Sequence, residues 1–213
     1  MRGIVFDMDG LMIDSEGIYW AVSRQMALEQ GKTVSDETLG RMMGRAPLES
    51  VELYAREVGL AQAPDVLMRE RDARVLQIIK TGVQPMPGLR EVLDAFHPRF
   101  KLAIATSAPM RFVDLIVDGL KIRDDFQVLQ TSDDITHGKP NPEIYLKAMA
   151  RLGIPPAQCV VLEDSSNGAL AGKRAGAYTI AVPSKYTRSQ DFSFVDYIAA
   201  DLLDAKAHVE SLG

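Results

Sequence analysis

The sequence of 213 residues contains one cysteine, no apolar run of membrane-spanning length and no excess of basic residues. Each lack excludes something. Cys159 alone cannot close an internal disulfide, and within the apolar run Cys159-Val160-Val161-Leu162 it reads as a small thiol packed in a core. The N-terminal residues reach Asp7 after three apolar positions, too few for the core of a signal peptide, so a cytoplasmic protein with no membrane partner is expected. Twenty-four Lys plus Arg against 29 Asp plus Glu leave a net charge of −5, which offers no broad basic field, so nucleic acid is not expected as a partner. Internal repeats, low-complexity tracts and blocks of like charge are also missing, which removes repeat arrays and disorder.

What remains is ordinary globular material, 46% apolar and 25% charged, able to bury a real core. At roughly 150 residues per domain the length corresponds to about 1.4 domains, one large unit with a small second one. Short apolar runs at Ile4-Val5-Phe6, Leu102-Ala103-Ile104-Ala105 and Val160-Val161-Leu162 each end in polar residues and read as buried parallel strands. Further strands are expected at 127–129, 179–182 and 197–199. Helical patterns fall at 88–96, 110–120, 142–152, 167–175 and 202–212. Strand and helix therefore alternate, which predicts a doubly wound, Rossmann-like parallel sheet of the α/β class covered on both faces. Between about Ser15 and Lys80 no strand-like run occurs, and helical periodicity is broken at Gly31, Gly44, Pro47, Gly59 and Pro64. The expected organisation is an α/β core of residues 1–14 and 85–213 interrupted by an all-helical cap at 15–84.

Four constellations carry the chemistry. Asp7-Met8-Asp9-Gly10 places two carboxylates at i and i+2 directly after a buried strand, with a glycine for a sharp exit. Like charges so close need a cation between or beside them, or one of them is protonated and acts as an acid; a plain solvated turn is the alternative. Thr106-Ser107 ends the second strand before a helix, where hydroxyls and amides form an anion-binding corner or simply cap the helix. Lys139 stands between Gly138 and the rigid turn Pro140-Asn141-Pro142, which would fix an otherwise solvated cation. Glu163-Asp164 follows another buried strand, where hard oxygen ligands suit Mg2+ and where Asp164 or Ser165 could equally cap the next helix. All four lie beyond the carboxyl ends of strands, the place where open α/β sheets collect ligands.

In this order the four segments resemble the motifs of the haloacid dehalogenase-like (HAD) hydrolase superfamily, and the resemblance spans essentially the whole chain, the helical insert lying between the first and second motifs. It implies that Asp7 is a nucleophile that becomes an aspartyl phosphate, and that Asp9 protonates the leaving group and later activates water. Thr106 and the Ser107 amide would hold the transferring phosphoryl, and Lys139 would neutralise Asp7 and the phosphoryl oxygens. Mg2+ would be bound by the Asp7 side chain, the Asp9 carbonyl and Asp164, with Glu163 holding a coordinated water. An acid at position 9 separates the chain from haloacid dehalogenases, which lack it, and from phosphonate-cleaving members, which have a small residue there.

The β-phosphoglucomutase branch carries a histidine, an arginine and a serine-lysine pair where this chain has Tyr19, Pro47 and Ala108-Pro109. Those replacements remove groups that would grip a second phosphate, so hydrolysis is favoured over mutase action. The implied enzyme is a Mg2+-dependent phosphatase for a small phosphorylated metabolite, a sugar phosphate or nucleotide-like monoester, acting as a monomer. A signalling receiver is the rival of another class, but receivers resemble about half this length and carry their acceptor Asp on a middle strand. A binding protein with a relic site would be expected to have lost a motif residue. In the cap, Glu16, Tyr19 and Trp20 share one helix face. Glu16, Tyr19 and Arg45 are the expected substrate-selecting residues, while Trp20 and the methionines read as packing.

Overall fold

A computed structural model describes residues 1–43 and 47–212. The chain divides into two compact units, Met1–Asp14 together with Gly82–Gly213, and Ser15–Thr81.

The first unit is built on β1 (Gly3–Phe6), β2 (Lys101–Ala105), β3 (Val128–Gln130), β4 (Cys159–Glu163), β5 (Tyr178–Ala181) and β6 (Tyr197–Ile198). They form one parallel sheet in the order β3-β2-β1-β4-β5-β6. The order reverses between β1 and β4, so a crevice opens there at the carboxyl ends. The apolar runs behave as their composition dictates. Val5, Ala103, Ala105 and Val161 pack on one face against Ile144, Tyr145, Ala148 and Met149. Their alternates Ile4, Phe6, Leu102, Ile104, Val160 and Leu162 are completely buried as well, so neither face of the central strands meets water. Each such side chain contributes roughly 1.5–3 kcal/mol of burial free energy, which fixes the register. Cys159 is one of these core residues.

The connecting helices are α5 (Leu89–Phe96), α6 (Met110–Gly119), α7 (Glu143–Leu152), α8 (Ser166–Arg174) and α9 (Leu202–Ser211), each within a residue or so of its predicted bounds. On α7 the buried positions Ile144, Tyr145, Ala148, Met149 and Leu152 follow the i, i+4 spacing of one helix face. Gly10 closes a tight turn after β1, donating to Ile13 O at 2.9 Å, while Met12 donates to Met8 O at 2.9 Å. That turn carries the chain from the sheet into the insert.

The second unit contains α1 (Ser15–Glu29), α2 (Asp36–Met42), α3 (Pro47–Val58) and α4 (Pro64–Thr81). Gly31 and Gly59 fall in its connections, and Pro47 and Pro64 open helices, where a missing N–H costs nothing. Ala27, Leu39, Met42, Leu53, Tyr54 and Val58 form its core, with Trp20, Val34 and Leu60 packed against them. Tyr54 donates to Ser23 O at 2.6 Å, satisfying the buried phenol. Trp20 is thus a packing residue, as its place on α1 predicted. No helix among the described residues is long and apolar enough to cross a membrane.

Candidate active site

Three strand ends and one loop converge on a single side chain. Lys139, whose side chain is 9% exposed, places Nζ 2.5 Å from Asp7 Oδ1 and 2.7 Å from Glu163 Oε1, and also donates to Ala105 O at 3.3 Å. It therefore ties together the ends of β1, β2 and β4. The loop that delivers it is anchored by Glu143 at the start of α7, whose carboxylate accepts from Thr136 N at 3.0 Å and His137 N at 2.9 Å. Asp7 itself follows β1 without a break, its N–H donating to Leu162 O at 2.9 Å.

Glu163 is fully engaged. Oε1 accepts from Lys139 and from the buried Tyr145 hydroxyl at 3.1 Å; Oε2 accepts from Ser165 N at 2.8 Å and Ser165 Oγ at 2.9 Å. Ser165 also caps α8, accepting from Gly168 N at 3.2 Å, so the capping reading and the acidic site coexist. Two glycines make room for the acids. A Cβ on Gly10, where φ is +80°, would lie 2.3 Å from Asp164 Oδ2, and one on Gly168 would lie 1.5 Å from Glu163 Oε1. Asp164 Oδ2 accepts a long bond from Thr187 at 3.4 Å.

Asp9 points elsewhere. Its Oδ2 accepts from Thr106 Oγ1 at 2.9 Å, and the same hydroxyl accepts from Ala108 N at 3.0 Å. Thr106 is fully buried, Ser107 beside it is exposed, and neither caps α6, whose N-cap is Pro109. The first two predicted motifs are thereby joined through a side-chain hydrogen bond.

One oxygen each of Asp7, Glu163 and Asp164 lies within 4.8 Å of the others. Burial pushes the Asp7 carboxyl well above its ordinary range; Lys139 opposes this, and Glu163 and Asp9 add to it. Burial works against the Lys139 charge, but the Asp7 and Glu163 carboxylates outweigh it and push the ammonium well above the usual lysine range. Three buried acids and one ammonium leave an excess of negative charge, which a divalent cation relieves. With Glu163 committed to protein donors and Lys139 on Asp7 Oδ1, the donor set that fits such a cation is the second Asp7 oxygen with Asp164, hard ligands of the kind Mg2+ takes.

Glu16 and Tyr19 lie half-buried on α1, with the Arg71 guanidinium 5.1 Å from the centre of the Tyr19 ring. Arg45 lies outside the described residues. Tyr145 and Gly168 carry no assignment from sequence, although each leaves a signal. Tyr145 is the one buried helix residue of α7 with a polar tip, which needs a partner. Gly168 sits inside a helix, where glycine costs about 1 kcal/mol unless packing demands it.

A parallel sheet of this order, with a lysine bridging acids beyond its carboxyl ends, defines a doubly wound, Rossmann-type α/β unit with its site at the switch point of the sheet, interrupted in sequence by a helical insert. The chain belongs to the haloacid dehalogenase-like hydrolase family, whose model matches residues 4–182. It is similar to the phosphorylated carbohydrates phosphatase of Thermotoga maritima, 32% identical over 83% of this chain and 82% of that protein. It is also similar to hexitol phosphatase B of Escherichia coli K12, 30% identical over 84% of this chain and 82% of the relative. Among solved structures, CbbY of Rhodobacter sphaeroides, a mutant form in complex with xylulose-(1,5)bisphosphate, is 25% identical with a TM-score of 0.81 over 95% of each chain. The enzyme class is that of a HAD-like phosphoric monoester hydrolase.

Proposed function

We propose that this enzyme hydrolyses small phosphomonoesters, phosphorylated carbohydrates foremost, by passing the phosphoryl group through Asp7 with Mg2+ as cofactor. The observation that carries the reading is the placement of one buried ammonium on Asp7 and Glu163, with Asp164 beside them. The sugar-phosphate preference rests on the names of the relatives.

Mg2+ would be held by the Asp7 and Asp164 side chains and the Asp9 carbonyl and would supply positive charge against the phosphoryl oxygens. The expected water-mediated contact from Glu163 is not part of this set, because four protein donors already occupy its two oxygens. Asp7 forms the new O–P bond as the bond to the leaving oxygen breaks. Asp9 gives a proton to that oxygen, then takes one from the water that cleaves the aspartyl phosphate. The Thr106 hydroxyl holds Asp9 in the ground state and, with the Ser107 amide, contacts the phosphoryl group when substrate is present. Lys139 stabilises charge on the equatorial oxygens. The helical unit acts as a cap, with Glu16, Tyr19 and Arg45 selecting the leaving group.

The test is turnover of an aryl phosphate and of a panel of sugar phosphates with Mg2+. Release of inorganic phosphate by the wild type, with none by Asp7→Asn, is expected. Isomerisation of a sugar phosphate without release of inorganic phosphate would assign a mutase instead.

A further inference from the structure

We propose that Tyr145 is a positioning residue for phosphoryl transfer, its hydroxyl and ring together fixing Glu163 and so holding Lys139 against Asp7. The inference rests on the proposed function and adds to it a residue that closes the Gly138–Tyr145 segment around Lys139 but has no role in the sequence reading.

Tyr145 is completely buried on the sheet-facing side of α7. Its hydroxyl donates to Glu163 Oε1 at 3.1 Å, the same oxygen that accepts from Lys139 at 2.7 Å. Its ring lies under the ammonium, with Nζ 4.9 Å from the ring centre, within the range of a cation–π contact. One side chain thus touches both the ammonium of the lysine and the acid that restrains it. Two donors on one carboxylate oxygen fix it more tightly than one, and Ser165 fixes the other oxygen. Glu163 is then a stationary anion, and the ammonium that spans the gap to Asp7 has no freedom to follow it away.

Tyr145 never reaches the reacting atoms; it acts through Glu163 and Lys139. Misplacing a catalytic cation by a fraction of an ångström costs turnover and leaves substrate binding largely intact.

Tyr145→Phe keeps the ring and removes the hydroxyl. For an aryl phosphate, kcat is expected to fall about ten-fold with KM changed by less than about two-fold. Tyr145→Leu removes the ring as well and is expected to lower kcat by about another three-fold or more. Met149→Val, on the same buried face of α7, separates this from general loosening. It is expected to lower the melting temperature while kcat stays within about two-fold of wild type. An unchanged kcat in Tyr145→Phe, or an equal fall in Met149→Val, overturns the inference while an active wild type and inactive Asp7→Asn leave the proposed function standing. A wild type that turns over no phosphate ester overturns both.

Discussion

Gly10 and Asp164 come from opposite sides of the crevice, and a methyl group on Gly10 would stand 2.3 Å from Asp164 Oδ2. The turn after β1 and the acid after β4 can share the crevice only because position 10 has no side chain, and because glycine accepts a φ of +80° there. Gly10→Ala is therefore expected to cost about 1–2 kcal/mol in backbone strain and to displace the Asp164 carboxylate. Turnover should fall about 100-fold or more, with weakened stabilisation by added Mg2+ in thermal melts. Wild-type turnover in this variant would show that the carboxylate position is not critical.

Gly168 inverts the usual effect of a helix glycine. Replacing an interior helix glycine by alanine ordinarily stabilises by up to about 1 kcal/mol. At Gly168 the new Cβ would overlap Glu163 Oε1, whereas at Gly40 on α2 it would meet nothing within 4 Å. Gly40→Ala should raise the melting temperature by a few degrees, while Gly168→Ala lowers it and reduces turnover. Melting curves and an aryl phosphate assay on the two variants decide the point.

Cys159 should be inert. It is buried, and desolvation pushes the thiol up to about 11. No thiolate is available at neutral pH to attack a disulfide reagent. The native protein is expected to titrate no thiol and the denatured protein one; rapid labelling of the native state would contradict the packing of β4.

Glu143 links pH to the lysine loop. The Lys147 ammonium and the Thr136 and His137 amides lower its carboxyl from 4.5 to about 2. Its folded value lies below its unfolded one, so its contribution to stability is complete above about 4.5 and is lost as pH falls towards 2. Glu143→Gln should melt below the wild type at pH 7, and the gap should close across that acidic window. A gap independent of pH would assign the effect to packing.

The fold was legible because its two kinds of element leave different marks, continuous apolar runs for the strands and helical periodicity for the rest. The runs at Ile4, Leu102 and Val160 form strands buried on both faces, and the helical insert lacks any such run. Three of the four motifs were legible because each ends a strand, and a parallel sheet necessarily delivers those ends to one crevice; Lys139 stands instead in the loop before α7, marked by its flanking glycine and prolines. What the sequence could not show is which acids would share one cation. Glu163 is held by Tyr145 from a different element, and Thr106 is turned towards Asp9, 97 positions away. Those pairings depend on the register of α7 against β4 and of β2 against β1, which no local pattern encodes. The glycines escaped for the same reason: Gly168 looks like a helix defect until the carboxylate beside it is known.

The central claim is that Asp7 carries the phosphoryl group. Rapid acid quenching of the enzyme during turnover of an aryl phosphate, followed by peptide mass analysis, tests it most directly. The peptide containing Asp7 should carry one phosphoryl group, and Asp7→Asn should carry none. Turnover with no phosphorylated peptide at any time point, or with the group on another residue, would contradict it.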